Sequence, residues 1–404
     1  MLIRKAYKYK LKTTLELEET LRRFEGANRF VWNKALGLNK RRLDRHEKKD
    51  RKIVGYNDLA GLLKLWKQSE DWSFLKDVHS QTLQQTLKDL DKATRDAFNP
   101  RQPLKQFPVF KRKHESNGFR FPQGTKVLGN RIFLPKIGWV RYFNSQRIHG
   151  TIKNITISKN GKNWFAAIQV EQEINPDCIK PHKEIGIDLG ISKNVALSNG
   201  TFLEGARSFK KNKDLLAKAQ RKMSKKVRFS ANWKKSNIRV QKIHEKISNI
   251  RKDRIHWMTS FLSSQYSEIY LEELRVKNMS KSASGTLEKP GRNVAQKKGL
   301  NREILDQGWF EFKRQLIYKQ DWSGGTLQTV NAAYTSQRCS NSQCGYTASE
   351  NRENQSVFCC KKCGHFENAD TNASKNILAA GLAVFACGEV ALATSLKQEP
   401  LAVI

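Results

Sequence analysis

The stretch HKEIGIDLGISKNVALSNGTFLEG, residues 182–205, carries the pattern that decides the fold of the second half of this 404-residue chain. Its first part predicts a buried strand that carries Asp188. The remainder predicts a hairpin with its turn at Asn199-Gly200, because Asn-Gly accepts the positive φ angles of tight hairpin turns. We therefore expect three sheet strands in a row, with a carboxylate on the first of them.

Two further acidic residues occupy comparable places in the chain. Glu272 lies in SEIYLEELRV, which predicts another buried strand, and Asp370 in NADTN opens a helical segment. An acid on a strand before a hairpin, an acid on a later strand and an acid at the start of a final helix resemble an RNase H-like nuclease core. Such a core uses carboxylate oxygens to hold two divalent ions such as Mg²⁺. The sequence GIDLG also fits the phosphate loop of actin-like ATPases, but the later glycine-rich motifs of those enzymes are not visible.

Five of the seven cysteines lie between Cys339 and Cys363. Four residues separate Cys339 from Cys344, two separate Cys360 from Cys363, and a glycine follows each pair. Such pairs bring four thiolates into the tetrahedron that zinc prefers, and four sulfur ligands leave no open position for water or substrate. The pattern predicts a structural zinc ion. Cys359 is the alternative to Cys360, but a 359/363 pair would lose the compact C-x2-C turn, so we assign Cys360.

The chain has 75 Lys plus Arg against 38 Asp plus Glu, a net charge of +37. A polyanion such as nucleic acid is the natural partner of so basic a protein. The segment 210–254 has 17 basic and three acidic residues around Phe229 and Trp233, which indicates a nucleic-acid track, although a solvated helix face is the alternative.

An anionic membrane is the competing partner for a basic protein. The longest apolar run, Ile377–Cys387, has 11 residues and is too short to span a bilayer, and the N-terminus has no signal-peptide pattern. Clustered cysteines without an export signal indicate a reducing compartment. We expect a cytoplasmic protein without a membrane partner.

Strand and helix signals alternate in the first half of the chain. MLIRKAYKYKLK has the period of a strand, residues 14–100 have a helical period, and RIFLPKIGWVRYF and NITISKNGKNWFAAIQV indicate strands again. We predict an α/β multidomain protein, with a small β-barrel interrupted by a helical insertion and followed by an RNase H-like nuclease domain with an inserted zinc ribbon. One helix is expected over 301–321.

The expected domain boundaries follow these changes of pattern. They are 1–13 for the first barrel strand, 14–106 for the helical recognition insertion, 107–178 for the remaining barrel, 183–333 for the nuclease core, 334–364 for the zinc ribbon, 365–382 for the final nuclease helix and 383–404 for a flexible tail.

The motifs together resemble the TnpB family of insertion-sequence proteins, relatives of type V CRISPR effectors. GIDLGI, YLEELRVKNM, GLNREILDQGWFEFKRQLIYK, TSQRCSNSQCGY and FCCKKCGHFENADTNASKNIL carry the resemblance, and ANRFVWNKAL and FPVFKRK extend it over nearly the whole chain. Two departures are the wider spacing of the first cysteine pair and Asn368, where many relatives carry Arg.

The resemblance implies an RNA-guided DNA endonuclease with a RuvC-type site. By matching motifs, Asp188, Glu272 and Asp370 take the positions of the catalytic carboxylates that bind magnesium, and the four assigned cysteines take those of the zinc ligands. The implied cofactors are structural Zn²⁺ and two catalytic Mg²⁺ ions. The implied partners are a guide RNA derived from the transposon end and double-stranded target DNA, bound by a monomer in a prokaryotic cytoplasm near the nucleoid. The alternatives are a guided DNA-binding repressor without cleavage and an RNase H-like transposase.

Overall fold

The computed structural model describes residues 1–44, 52–113, 118–175, 183–191, 193–286, 288–331 and 334–386. The chain divides into two compact units, of which the first contains Met1–Glu173 and the second begins at Ile174. Most of the predicted linker INPDCIKPH and the predicted tail beyond residue 386 lie outside the described residues.

The strands of the first unit form two antiparallel sheets. In chain order they are β1 (Leu2–Lys10), β2 (Phe119–Phe121), β3 (Lys126–Leu128), β4 (Arg131–Leu134), β5 (Gly138–Arg141), β6 (Thr151–Asn160) and β7 (Asn163–Glu173). One sheet has the order β1-β7-β6-β2 and the other the order β3-β4-β5. A bridge between Leu11 and Tyr142 connects the end of β1 to the end of β5, so the two sheets enclose one core as the predicted small barrel.

The described residues between β1 and β2, where the sequence predicts the helical insertion, form α-helices and a short 3₁₀ helix. The α-helices are α1 (Leu15–Leu43), α2 (Tyr56–Gln68) and α3 (Ser80–Ala97), and the 3₁₀ helix is Glu70–Lys76. Helix α1 begins after Thr14, whose hydroxyl oxygen accepts a hydrogen bond from the backbone N–H of Leu17 at 3.3 Å. Leu83, Leu87 and Leu90 of α3 are buried, as their helical spacing predicts, and they belong to the same apolar core as the strands.

The second unit is built on a five-stranded sheet. Its strands are β8 (Glu184–Asp188), β9 (Val195–Leu197), β10 (Phe202–Leu203), β11 (Glu268–Glu272) and β12 (Thr326–Val330). They follow the order β10-β9-β8-β11-β12, with β8, β9 and β10 antiparallel and with β11 parallel to both β8 and β12. An antiparallel meander extended by two parallel strands beside its first strand is an RNase H-like arrangement. The turn between β9 and β10 lies at Asn199-Gly200, where Gly200 has a φ of 84°.

Helices connect and cover the strands of this sheet. They are α4 (Ser208–Ser224), α5 (Ala231–Gln265), α6 (Val276–Met279), α7 (Val294–Gln307) and α8 (Trp309–Trp322). The prediction of one helix over 301–321 is wrong, because Gly308 adopts a φ of 70° and ends α7 before α8 begins. A Cβ at Gly308 would lie 2.8 Å from Cδ1 of Ile255, so the break also lets the chain approach α5 closely.

The last described elements are the hairpin of β13 (Val357–Cys359) and β14 (Phe366–Asn368) and the helix α9 (Ala369–Ala386). Helix α9 packs directly against the sheet at two glycines. A Cβ on Gly186 of β8 would overlap the backbone of Ser374, and a Cβ on Gly381 of α9 would overlap the ring of Tyr270 in β11. The helix extends to Ala386, past the boundary at 382 expected from the sequence.

None of the helices in the described part of the chain has both the length and the apolar composition needed to cross a bilayer.

Candidate active site and metal centre

Asp188 and Glu272 lie side by side at one edge of the five-stranded sheet. Strands β8 and β11 are parallel neighbours, and their register pairs Ile187 with Leu271. The next residue of each strand is therefore the acid, and both acids occupy the carboxyl ends of their strands. Their side chains are close enough to share a hydrogen bond.

Asp370 reaches this region from the first turn of α9. The side-chain oxygen of Asn368 accepts hydrogen bonds from the backbone N–H groups of Asp370, at 3.0 Å, and Thr371, at 3.4 Å. Asn368 thus satisfies N–H groups that a helix start leaves without partners. Since α9 packs on β8 at Gly186, the helix start and Asp188 are held in the same part of the unit.

Burial and mutual repulsion raise the pKa values of the acids at the sheet edge. Burial and, next, the negative charge of Asp370 raise the pKa of Asp188 from 3.8 to about 6. Burial and then the charge of Asp188 raise the pKa of Glu272 from 4.5 to about 7, although a hydrogen bond from the Thr335 side chain opposes this. The two carboxyl groups therefore tend to keep a proton near neutral pH, which a bound cation would replace.

Two cations oppose the repulsion among the acids. A guanidinium nitrogen of Arg352 lies 3.9 Å from a carboxylate oxygen of Asp370. Burial raises the pKa of Asp370, and the positive charges of Arg352 and Lys193 lower it. Arg352 also lowers the pKa of Asp188, so its charge acts on two of the three acids.

The four cysteines assigned from the sequence meet in one group. The sulfur atoms of Cys339, Cys344, Cys360 and Cys363 all lie within 4.8 Å of one another, and the group can hold a metal ion. The Cys339–Cys363 and Cys344–Cys360 sulfur distances are both 3.7 Å. Cys359, the alternative ligand, lies on β13 outside this group.

Backbone geometry around the cysteine pairs also suits thiolates. Gly345 and Gly364, which follow the two pairs, have positive φ angles of 56° and 70°. Burial raises the pKa of the Cys360 thiol, but backbone N–H groups of Cys363 and Lys362 point at its sulfur and lower the pKa to about 7 overall. Donors aimed at the sulfur stabilise the charged form that binds metal ions.

The three carboxylates are less tightly clustered than the sulfurs. In the described part of the chain, the cysteine group is the one set of three or more potential ligands whose atoms all lie within 4.8 Å of one another.

Side-chain amides on α9 connect the cysteine group to Asp370. The amide of Asn372 donates a hydrogen bond to the backbone oxygen of Arg338 at 2.8 Å, and its oxygen accepts one from the backbone N–H of Ser340 at 2.9 Å. These two residues flank Cys339. Asn376, one turn later, donates to the backbone oxygens of Thr335 and Arg338. The backbone around Cys339 is therefore hydrogen-bonded to α9, the helix that carries Asp370.

Sequence reasoning identified the acids and the cysteines but missed the groups that support them. Thr335 and Arg352 were not recognised, because neither lies in a periodic pattern or at a ligand spacing. Asn368 was noticed only as a departure from the family motif. Its place directly before a helical segment is an N-cap signal that could have identified its role.

Three family models match the chain. The model described as a probable transposase, OrfB_IS605, matches residues 167–283. The Cas12f1-like TNB domain matches residues 309–377, which contain the cysteine group and Asp370, and a helix-turn-helix domain matches residues 1–48.

Sequence relatives align with almost the whole chain. InsQ of Escherichia coli (strain K12), whose name describes an RNA-guided DNA endonuclease, is 47% identical over 402 residues, covering 99% of this chain and 98% of InsQ. A similarly named protein of Streptomyces pristinaespiralis is 29% identical over 392 residues, covering 96% and 92% of the two chains. Among solved structures, the cryo-EM structure of a Cas12f1–sgRNA–target DNA complex is similar, with 14% identity, coverage of 93% and 98%, and a TM-score of 0.46.

Proposed function

The chain belongs to the TnpB family of insertion-sequence proteins, and on that premise we propose that it is an RNA-guided DNA endonuclease that requires divalent metal ions. The observation that carries the proposal is the pair of acids at one sheet edge, Asp188 and Glu272, with Asp370 brought toward them by α9. The names of the two aligned relatives agree with this activity.

Asp188, Glu272 and Asp370 are the catalytic residues of this proposal, and their oxygen atoms are the ligands that Mg²⁺ prefers. These three carboxylates would hold two Mg²⁺ ions, which would activate the attacking water and stabilise the leaving oxygen of the phosphodiester. Metal binding would displace the protons that burial lets Asp188 and Glu272 retain. Arg352 favours the charged forms of Asp188 and Asp370 and so keeps them ready to bind.

The ion proposed for the cysteine group is structural Zn²⁺. Zn–S bonds of about 2.3 Å in a tetrahedron separate the sulfur atoms by roughly 3.8 Å. The two sulfur distances of 3.7 Å agree with that value. Because all four positions would be filled by Cys339, Cys344, Cys360 and Cys363, the ion folds the ribbon and takes no part in hydrolysis.

The proposed partners are a guide RNA from the transposon end and double-stranded target DNA. The net charge of +37 supports two nucleic-acid partners. We assign the barrel with its insertion, 1–178, to guide and target recognition, and residues 183–382 to cleavage, with the zinc ribbon at 334–364. The protein acts as a monomer in a prokaryotic cytoplasm, close to the nucleoid.

The test is cleavage of a matched DNA duplex by the protein loaded with its guide RNA in the presence of Mg²⁺. Asp188→Ala should abolish cleavage while guided binding survives, because the change removes a metal ligand and no nucleic-acid contact. Asp214→Asn, an acid on α4, is the matched control and should cut at the parental rate.

Three outcomes would overturn the proposal. Cleavage by Asp188→Ala at the parental rate would remove the acid from the mechanism. Guided binding by the parental protein without cutting, across several divalent metal ions, would indicate a repressor. Strand transfer without any guide RNA would indicate a transposase.

A further inference from the structure

An exposed stack of side chains on α5 has no place in the cleavage mechanism. The rings of Trp257 and Phe261 are nearly parallel, with an interplanar angle of 4° and centroids 5.8 Å apart. The guanidinium of Arg254 lies 4.2 Å from the centre of the Trp257 ring. These three residues, spaced along one face of the helix, are called the α5 stack below.

Both rings of the α5 stack face solvent. Trp257 is 49% exposed and Phe261 is 37% exposed, whereas Ile255, Met258 and Leu262 on the adjacent face of the helix are buried in the core. Burying the exposed rings would be favourable. Two exposed aromatic rings beside a guanidinium indicate a ligand with a flat face of its own.

The α5 stack lies beside the edge of the sheet that carries the acids. The side chain of Arg254 donates a hydrogen bond to the backbone oxygen of Glu204 at 2.8 Å. Glu204 follows β10, and β10 runs in the same direction as β8, since both are antiparallel to β9. Glu204 and Asp188 are therefore at the same edge, two strands apart, a lateral separation of roughly 10 Å.

The charge around the α5 stack favours an anionic ligand. Residues 250–258 of α5, which surround Arg254, contain three basic residues, Arg251, Lys252 and Arg254, and one acidic residue, Asp253. A basic surface with stacked aromatic rings is the arrangement that binds unpaired nucleotides, because every base has a π face and every nucleotide a phosphate. A paired duplex hides its base faces and could use only the charges.

We propose that the α5 stack binds single-stranded DNA, with an unpaired base stacked on Trp257 or Phe261 and a phosphate near Arg254, and that it leads this strand toward the acids. The path toward the acids rests on the proposed endonuclease function. The binding itself does not, so the two can fail separately.

The experiment measures binding of a fluorescein-labelled oligothymidine, by anisotropy, to the guide-loaded protein in an Asp188→Ala background. Trp257→Ala should raise the Kd roughly 5- to 150-fold, the range expected for the loss of one base–aromatic stack. Trp257→Phe should retain most of the affinity, and Trp257→Leu should not, because stacking requires a ring. Phe310→Ala, which removes a 75% exposed ring from α8, is the matched control and should bind as the background protein does.

The salt dependence of the Kd distinguishes a loss of stacking from a loss of charge. Binding of a paired duplex shows whether the variant has kept its structure. Trp257→Ala should leave the slope of log Kd against log salt concentration unchanged, since no charge is lost. Arg254→Gln should reduce this slope by the amount that about one phosphate contact contributes. Binding of a fully paired duplex should change less than threefold in Trp257→Ala.

A second measurement locates the strand directly. Photo-cross-linking of an oligonucleotide that contains 5-iodouracil should yield a peptide containing Trp257 or Phe261. The proposal is overturned if Trp257→Ala and Phe261→Ala both bind the strand as the background does and no cross-link falls on α5. It is also overturned if the variants change the self-association of the protein and leave DNA binding unchanged. A loss of affinity for an RNA oligonucleotide without a loss of affinity for single-stranded DNA would overturn it as well.

Discussion

Burial makes both Asp188 and Glu272 harder to ionise, and a neighbouring negative charge adds to this effect at each, from Asp370 at Asp188 and from Asp188 at Glu272. Both are largely buried, and strand register alone brings them together, because β8 and β11 end at the same edge. Ionisation of both carboxyl groups is therefore unfavourable in the fold. Such raised pKa values are common among groups with the catalytic role that we propose for these acids.

The pKa values of this pair predict how stability depends on pH. In the fold they are raised to about 6 for Asp188 and about 7 for Glu272, from 3.8 and 4.5. Their stabilising contribution is complete below pH ~4 and is lost as the pH rises through 6 to 7. Without added Mg²⁺, Asp188→Asn and Glu272→Gln should raise the melting temperature at pH 8 by a few degrees and much less at pH 5.

Scanning calorimetry at the two pH values checks this expectation, with Asp214→Asn as the control. Added Mg²⁺ should stabilise the parental protein at pH 8 more than either variant. Equal shifts at pH 5 and pH 8 would contradict the electrostatic explanation.

Arg352 lies in the zinc ribbon, and its positive charge affects the pKa values of two of the three acids. Its guanidinium lies 3.9 Å from Asp370 and lowers the pKa values of Asp370 and Asp188. Arg352→Gln should raise both pKa values, so the acidic limb of the pH–rate profile for DNA cleavage should move to higher pH. Lys362→Gln, an exposed cation of the same ribbon, should leave the profile in place. An unmoved profile in Arg352→Gln would show that its charge does not act on the acids.

The ribbon and α9 behave as one structural element in this protein. The amides of Asn372 and Asn376 hold the backbone around Cys339, and Asn368 at the end of β14 caps the helix. Asp370 lies between these attachments. Loss of the turns around the cysteine pairs should therefore disturb the position of Asp370.

Removal of the metal ion from the ribbon tests this coupling. Cys363→Ser should lose bound zinc, measured by atomic emission, and should lose at least about tenfold in cleavage rate, because α9 is no longer held. Cys359→Ser, which lies outside the group, should retain both zinc and activity. A Cys363→Ser protein that lacks zinc and still cuts at the parental rate would separate the ribbon from the catalytic acids.

The net charge of +37 governs how the entire protein meets nucleic acid. Much of it lies on the helical segment 210–254, which forms α4 and α5 joined by a short turn. At that turn Phe229 is 62% exposed and has a φ of 68°, an uncommon conformation for an aromatic residue. The nucleic-acid track over this segment stays a prediction.

The charge predicts a steep salt dependence of nonspecific binding. If the protein neutralises about 6–10 phosphates, its affinity for unrelated duplex DNA should fall by roughly 10³–10⁵ between 50 and 200 mM salt. A titration by anisotropy at several salt concentrations checks the slope, with guide-loaded and free protein compared. The loaded protein should show the shallower slope, because the RNA already neutralises part of the charge. A salt-independent affinity would contradict this account.

Local patterns in the sequence were sufficient to predict many elements of the fold. Alternation in residues 1–12, the helical period of α3 and the turn at Asn199-Gly200 depend on interactions between near neighbours, and the structure agrees with all three. The spacing of the cysteines and the order of the three acids likewise indicated which side chains to consider. The prediction of one helix over 301–321 was wrong because Gly308 adopts a positive φ and lies close to α5, a contact between distant segments that a helical period does not report.

The sequence by itself determined the elements, the charge and the types of residue that can bind metal ions. Only the tertiary structure decided that Thr335 and Arg352 face the acids, that Gly186 and Gly381 let α9 lie on the sheet, and that Arg254, Trp257 and Phe261 stack beside the same edge. The physical reason is that periodicity and spacing report contacts within a few residues. Contacts between distant segments depend on register and close packing, which a pattern of residue types does not encode.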